Sequence, residues 1–178
     1  MVILVIHRRV DLPHVTDLLK DAGLIDVRWL TQYARDRGTA VHLAASLLVR
    51  DDLDEESVTE DVNVYLRGFR RFLRDVKPEI IGTEIPVENK ELGYCGTTDL
   101  LLRIHGRKGA LDEKCGAPEC WHQLQLAGYT GCFDEPLARW NLYLRPDGTY
   151  SLVEHKSRSD WPVFKAILLL AQWRKVNG

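Results

Sequence analysis

The sequence has no apolar run approaching the roughly 18 residues of a membrane span. Its most apolar stretch, AILLLAQW, belongs to a pattern broken by Lys165, Gln172 and Arg174. The opening MVILVIHRR is too short for a signal-peptide core, and its charges follow the apolar run instead of preceding it. A cytoplasmic location without membrane association is the expectation. Neither sign of charge is in excess: 24 Lys and Arg stand against 26 Asp and Glu, for a formal net charge of −2. That excludes a global attraction to polyanions, so binding one would need a local basic patch or metal ions. The four cysteines (Cys95, Cys115, Cys120, Cys132) include no C-x-x-C pair. They read as structural or incidental thiols, not as a zinc or iron–sulfur site. Without an export signal, disulfides are not expected. Repeats, low-complexity tracts and linkers are also missing, which points to one domain over residues 1–178.

The pattern that is present changes once along the chain. Residues 1–78 look mainly helical after a short apolar start. LPHVTDLLKDAGL carries Pro13 and Thr16 near a helix start and Gly23 as a stop. Val41, Ala44, Ala45 and Leu48 predict a second helix over Thr39 to Val49. A third, from Ser57 to Val76, would bury Val58, Val62, Tyr65, Leu66, Phe69 and Leu73 and end at Pro78. Arg67, Arg70, Arg71 and Arg74 share its other side. Residues 79–155 change period. EIIGTEIPVE, GTTDLLLRIHG and KGALDEKC read as successive strands of a meander. PECWHQLQLAGYTGCF returns to helix, opened by Pro118 and Glu119. ARWNLYLRPDGTYSLVEH reads as a hairpin turning at Pro146-Asp147-Gly148. Residues 156–178 hold a closing helix capped by Ser159 or Asp160, with Pro162 in its first turn. The order predicts an α/β or α+β core in which helices cover a sheet.

Chemistry concentrates in LDEKCG. Alternation along a strand puts Asp112 and Lys114 on one face and Glu113 on the other. Taken alone, that is an ordinary ion pair. Asp99 changes the reading, because it interrupts a run otherwise suited to burial. A buried carboxylate needs a cation or donors. If the two strands pair, Asp99 stands near Asp112, and a hard divalent cation would compensate both. Lys114 would then face a metal-bound water or a substrate's negative oxygens, a set suited to phosphodiester hydrolysis.

An aspartate ending one strand and D-x-K on the next resemble the signature of the PD-(D/E)XK nuclease superfamily. Two further motifs narrow the likeness to its RecB-like and lambda-exonuclease-like branches. RGTAVH resembles their G-x-x-x-H, with Gly38 and His42 four residues apart. QLQLAGY resembles their Q-x-x-x-Y, with Gln125 and Tyr129 on one helix face. Glu84 resembles the acid on the first core strand. LPHVT and the late Trp173-Arg174 resemble flanks of phage-type members. The chain departs from the pattern at Glu113, where an apolar residue is usual, and at Cys115, where Thr or Ser is common. The first change suggests a solvated strand face or a basic partner for Glu113. A bulge turning Glu113 toward the metal is the other option.

The resemblance implies a restriction-endonuclease-like core, a central mixed sheet flanked by helices. It implies a Mg²⁺- or Mn²⁺-dependent deoxyribonuclease, an exonuclease on DNA ends in phage or bacterial recombination or repair. A structure- or single-strand-specific endonuclease and a non-catalytic DNA-binding member stay open. Asp99, Asp112, Lys114, Gln125, Tyr129 and Glu84 would serve catalysis. His42, Asp99, Asp112 and Glu113 (through its backbone carbonyl) would hold metal. The late cysteine triplet of cluster-binding members is absent, so no iron–sulfur cluster is expected. DNA is the expected partner, with a recombination protein a further one and oligomeric state undecided. Arg37 beside Gly38 would contact phosphate, with Arg67, Arg70 and Arg71 as a weaker reading against a solvated helix face. Trp121 and His122 would line the cleft, Trp121 able to stack on a base.

Overall fold

A computed structural model describes residues 12–26, 28 and 31–177. The opening apolar run MVILVIHRR lies outside the described residues. Helix α1 covers Val15–Asp21, as Pro13 and Gly23 suggest, and Gly23 takes φ +75 at the stop. Helix α2 (Gln32–Val49) begins about two turns before its apolar stripe. Thr31 Oγ1 accepts from the Ala34 N–H at 3.1 Å, and that cap starts the helix while its first residues are still polar. Helix α3 (Glu60–Val76) begins later than Ser57. Asp54 instead caps a short 3-10 turn over Glu55–Ser57, and Val58 is extended. Lys77 ends α3 in the left-handed region at φ 48, just before Pro78.

Strands β1 (Glu79–Asn89), β2 (Tyr94–Ile104) and β3 (Arg107–Lys114) form the expected antiparallel meander. Helix α4 (His122–Thr130) starts one turn after Pro118 and Glu119. It carries the chain over to β4 (Ala138–Leu144), which pairs parallel with β3, as a crossover requires. Strand β5 (Tyr150–Glu154) closes the hairpin, and α5 spans Asp160–Asn177. The result is one mixed sheet in the order β1-β2-β3-β4-β5. The fold is α+β.

Helices α2 and α3 cover one face, packing Val41, Ala45, Leu66 and Phe69 against Leu100, Leu102, Leu111 and Leu142. Helices α1, α4 and α5 cover the other, packing Leu19, Leu126 and Phe164 against Val87, Tyr94 and Ala110. No helix among the described residues is long and apolar enough to cross a membrane. Close packing at the β3–β4 step has a measurable consequence. A Cβ on Gly109 would lie 2.3 Å from the Trp140 ring and 2.5 Å from the Ala138 carbonyl oxygen. Gly109→Ala should therefore lower stability by about 1–3 kcal/mol, read as a lower urea midpoint at unchanged slope.

Two irregularities shape the sheet where the charged residues gather. The β2–β3 ladder stops at Leu100↔Leu111, whereas β3–β4 runs on to Lys114↔Tyr143. Residues 112–114 thus stay in the sheet on one side and lose their neighbour on the other. Strand β1 shifts register between Ile80 and Gly82, and Glu84 takes φ 50. A left-handed backbone costs energy in a non-glycine residue, and here it falls opposite the departing end of β2.

Candidate active site

Where β2 leaves β3, a side chain takes over from the ladder. Asp99 Oδ2 accepts the Glu113 N–H at 2.7 Å. The same oxygen lies 3.2 Å from His42 Nδ1, which α2 brings over the gap. Asp112 is 2% exposed. Its Oδ2 lies 2.5 Å from Lys114 Nζ and accepts from Asn141 Nδ2 at 2.8 Å. Lys114 Nζ also donates to Gln125 Oε1 at 2.9 Å and stands 5.3 Å from the centre of the Trp121 ring. Gln125 is fixed in turn: its Nε2 donates to Thr16 Oγ1 at 3.0 Å and to the Tyr129 hydroxyl at 2.9 Å. Tyr129 is buried and holds Gln125, without reaching the cleft itself.

The structure corrects the expectation for Glu113. It is 2% exposed, so its face of β3 is not solvated. It points to the α2–α3 side, between Leu111 and Cys115, which both pack there. The β3–β4 register is unbroken from Gly109 to Lys114, so no bulge turns Glu113 to the Asp112 face. Its Oε2 is buried without a hydrogen-bond partner. An unpaired buried polar atom costs about 1–3 kcal/mol. Glu113→Leu is therefore expected to raise the thermal midpoint in metal-free buffer. A lower midpoint would mean that this oxygen has a partner after all.

The acids crowd one another. Burial raises the Glu113 carboxyl, His42 opposes this, and Asp99, Asp112 and Glu84 add to the rise. Burial also raises Asp112, against the pull of Lys114. Asp99 goes the other way: burial pushes it up, but His42 and Lys114 bring it below the usual carboxylate range. Burial disfavours the His42 imidazolium, yet Asp99, Glu113 and Asp112 outweigh it and lift the group to about 9. Desolvation and the Asp99 charge raise Glu84, which is exposed on the cleft wall. Asp99 excepted, the carboxyls are held back from ionising by burial and by one another.

A cleft of about 830 Å³ opens onto this cluster, lined among others by Arg37, His42, Glu84, Asp99, Lys114 and Trp121. Arg37 lies over the Tyr33 and Tyr65 rings at 5.5 and 5.1 Å, and its Nε is buried without a partner. Arg35 lines the cleft too, whereas the arginines of α3 are placed elsewhere. Arg67 pairs with Glu60 at 3.0 Å and Arg70 with Glu55 at 2.7 Å, and neither lines the cleft. Arg71 is exposed on the same helix, also away from it. The outward face of α3 points to solvent because its opposite, apolar face packs on the sheet. His122 does not line the cleft either: it is 3% exposed. Its Nδ1 meets the Tyr143 hydroxyl at 3.0 Å and accepts from the Glu119 N–H. Burial and the Lys114 charge depress it to about 3, so it stays neutral.

The donors present are hard oxygens and one imidazole, which suit Mg²⁺ or Mn²⁺ in kind. Carboxyls that raise one another, as Asp99 does Asp112 and Glu113, also fit a cation. Among the described residues, no three His, Cys, Asp or Glu side chains already converge as a ready-made metal cage. Asp112 is held by Lys114 and Asn141, and Asp99 by His42 and the Glu113 amide. Arg35 and Asn141 were not marked by the sequence motifs, and Thr16 only as the end of the LPHVT flank, although all three line or brace this site. For Asn141 a signal existed: it is a polar residue inside the apolar run RWNLYL, as Asp99 is inside its own.

No family model and no curated protein matches the sequence. Among solved structures, the chain is similar to LHK-Exo in complex with dAMP, at TM-score 0.48 and 11% identity, covering 93% of this chain and 90% of that one. It is also similar to an alkaline exonuclease, LHK-Exo, from Laribacter hongkongensis, at TM-score 0.43 and 11% identity over 92% and 91% of the two chains. A third likeness is to SSO0001, at TM-score 0.41 and 14% identity over 89% and 75%.

Proposed function

We propose that the chain is a metal-dependent deoxyribonuclease that hydrolyses phosphodiester bonds with Mg²⁺ or Mn²⁺. The observation that carries the reading is the packing of Asp99, Asp112, Glu113, His42 and Lys114 at one strand end beside an open cleft. Buried acids repelling one another beside a fixed ammonium are costly to keep, and a function explains their retention. Asp99, Asp112, the Glu113 carbonyl and His42 would hold the ion. When bound, it supplies a Lewis acid and lowers the pKa of water.

The chain's own residues do the rest. Lys114, fixed by Gln125 and set over Trp121, presents its charge where negative charge grows on the phosphate. Thr16 and Tyr129 keep Gln125 in place. Arg37, with an unspent N–H in the cleft wall, takes a neighbouring phosphate, and Trp121 offers a face for a base. The resemblance of the motifs extends the proposal to an exonuclease on DNA ends in phage or bacterial recombination or repair, with a structure- or single-strand-specific endonuclease as the alternative. Purified protein given linear, circular and single-stranded DNA tests this. With Mg²⁺ or Mn²⁺, linear DNA should be lost and circles spared, and EDTA should stop the reaction. Cut circles would select the endonuclease. No cleavage with either metal would sink the enzyme reading and leave a DNA-binding protein.

A further inference from the structure

We infer that Asn141 and His155 form a positioning relay that decides which oxygen of Asp112 faces the cation, an inference resting on the metal-dependent reading above. Asn141 is wholly buried in the middle of β4. The parallel register sets it directly beside Asp112, so both side chains leave the sheet on the α4 side. Asn141 Nδ2 donates to Asp112 Oδ2 at 2.8 Å and to the Asp112 carbonyl at 3.2 Å. With Lys114 on the same Oδ2, that oxygen is committed to the protein. Oδ1 is the one these two donors leave over.

An amide can do this only if its NH₂ end faces Asp112. Flipped, its oxygen would confront a carboxylate oxygen. His155 fixes the choice. It follows β5, two residues beyond Val153, which pairs with Asn141, and so projects on the same face. Its Nε2 lies 2.8 Å from Asn141 Oδ1. Because Asn141 Nδ2 is spent on Asp112, Oδ1 must accept, and Nε2 must carry the proton. The order is His155 to Asn141 to Asp112, each group donating to the next. Histidines and carboxylates behind metal ligands commonly set ligand orientation in this way. A merely structural amide would satisfy Asp112 just as well, so stability alone does not separate the two roles.

Mn²⁺ binding without DNA does, followed by the loss of the free-ion paramagnetic resonance signal, with thermal midpoints measured alongside. Asn141→Leu and His155→Leu should each weaken Mn²⁺ binding about 10–100-fold. His155→Gln, which keeps a donor at the Nε2 position, should restore affinity close to the parent. Both losses together should be no worse than Asn141→Leu alone, because one chain is broken twice. His155 is only partly buried, so its variants keep the test open if Asn141→Leu fails to fold. Parent-like Mn²⁺ affinity in His155→Leu, or a His155→Gln as weak as His155→Leu, overturns the relay and leaves the nuclease reading standing. A parent that takes up no Mn²⁺ overturns both.

Discussion

Asp112→Asn and Lys114→Met should each lower Mg²⁺-dependent hydrolysis of linear DNA by about 10²–10³-fold or more, at unchanged circular dichroism. The two losses have different origins. Asp112→Asn keeps the shape but removes the charge on which Asn141 and Lys114 both converge. Lys114→Met keeps the length of the side chain but leaves a buried carboxylate with one donor fewer. Removing one partner of a buried ion pair costs about 3–5 kcal/mol, so Lys114→Met should also melt earlier in EDTA. Added Mg²⁺ should narrow that gap, since a cation replaces the missing charge. Activity within tenfold of the parent in either variant would place the chemistry elsewhere.

A loss of stability as large is expected deeper in the α1–α4–α5 layer, away from the cleft. Phe164, on α5, is fully buried. Its ring stacks at 5.9 Å on Trp161 and meets Tyr94 edge-on at 5.1 Å. Gly128 of α4 lies so close that a Cβ there would come 2.8 Å from the Phe164 ring. Truncation leaves a cavity walled by two aromatic rings and a helix backbone, which cannot collapse easily. Phe164→Ala should therefore cost about 3–5 kcal/mol. For a chain of this size that is a fall of about 10 °C in thermal midpoint. A drop of under about 1 kcal/mol in a urea titration would show that α5 contributes little to the core.

Strands and hairpin could be read from the sequence because their signals are local: period-two alternation, glycines, and Pro146-Asp147-Gly148. Helix starts were harder, since Thr31 and Asp54 cap polar turns that carry no apolar stripe. Asp99, Asp112, Lys114, His42 and Gln125 do meet, as their motifs implied. Alternation correctly separated Glu113 from Asp112, but it cannot say whether a face is covered; α2 and α3 decide that. Asn141 needed the parallel pairing of β4 with β3, which depends on how α4 returns the chain. His155 needed β5 as well. The arginines of α3 show the opposite limit, because composition marks a charge without saying which way its helix faces.

The bond from the Glu113 amide to Asp99 has a meaning of its own. A main-chain proton of the sheet is guarded by an acid of the proposed site instead of by another strand. Any event that draws that acid away, whether a proton or an ion, uncovers the amide. Its exchange with solvent then becomes a clock on the chemistry, legible one residue at a time without a substrate.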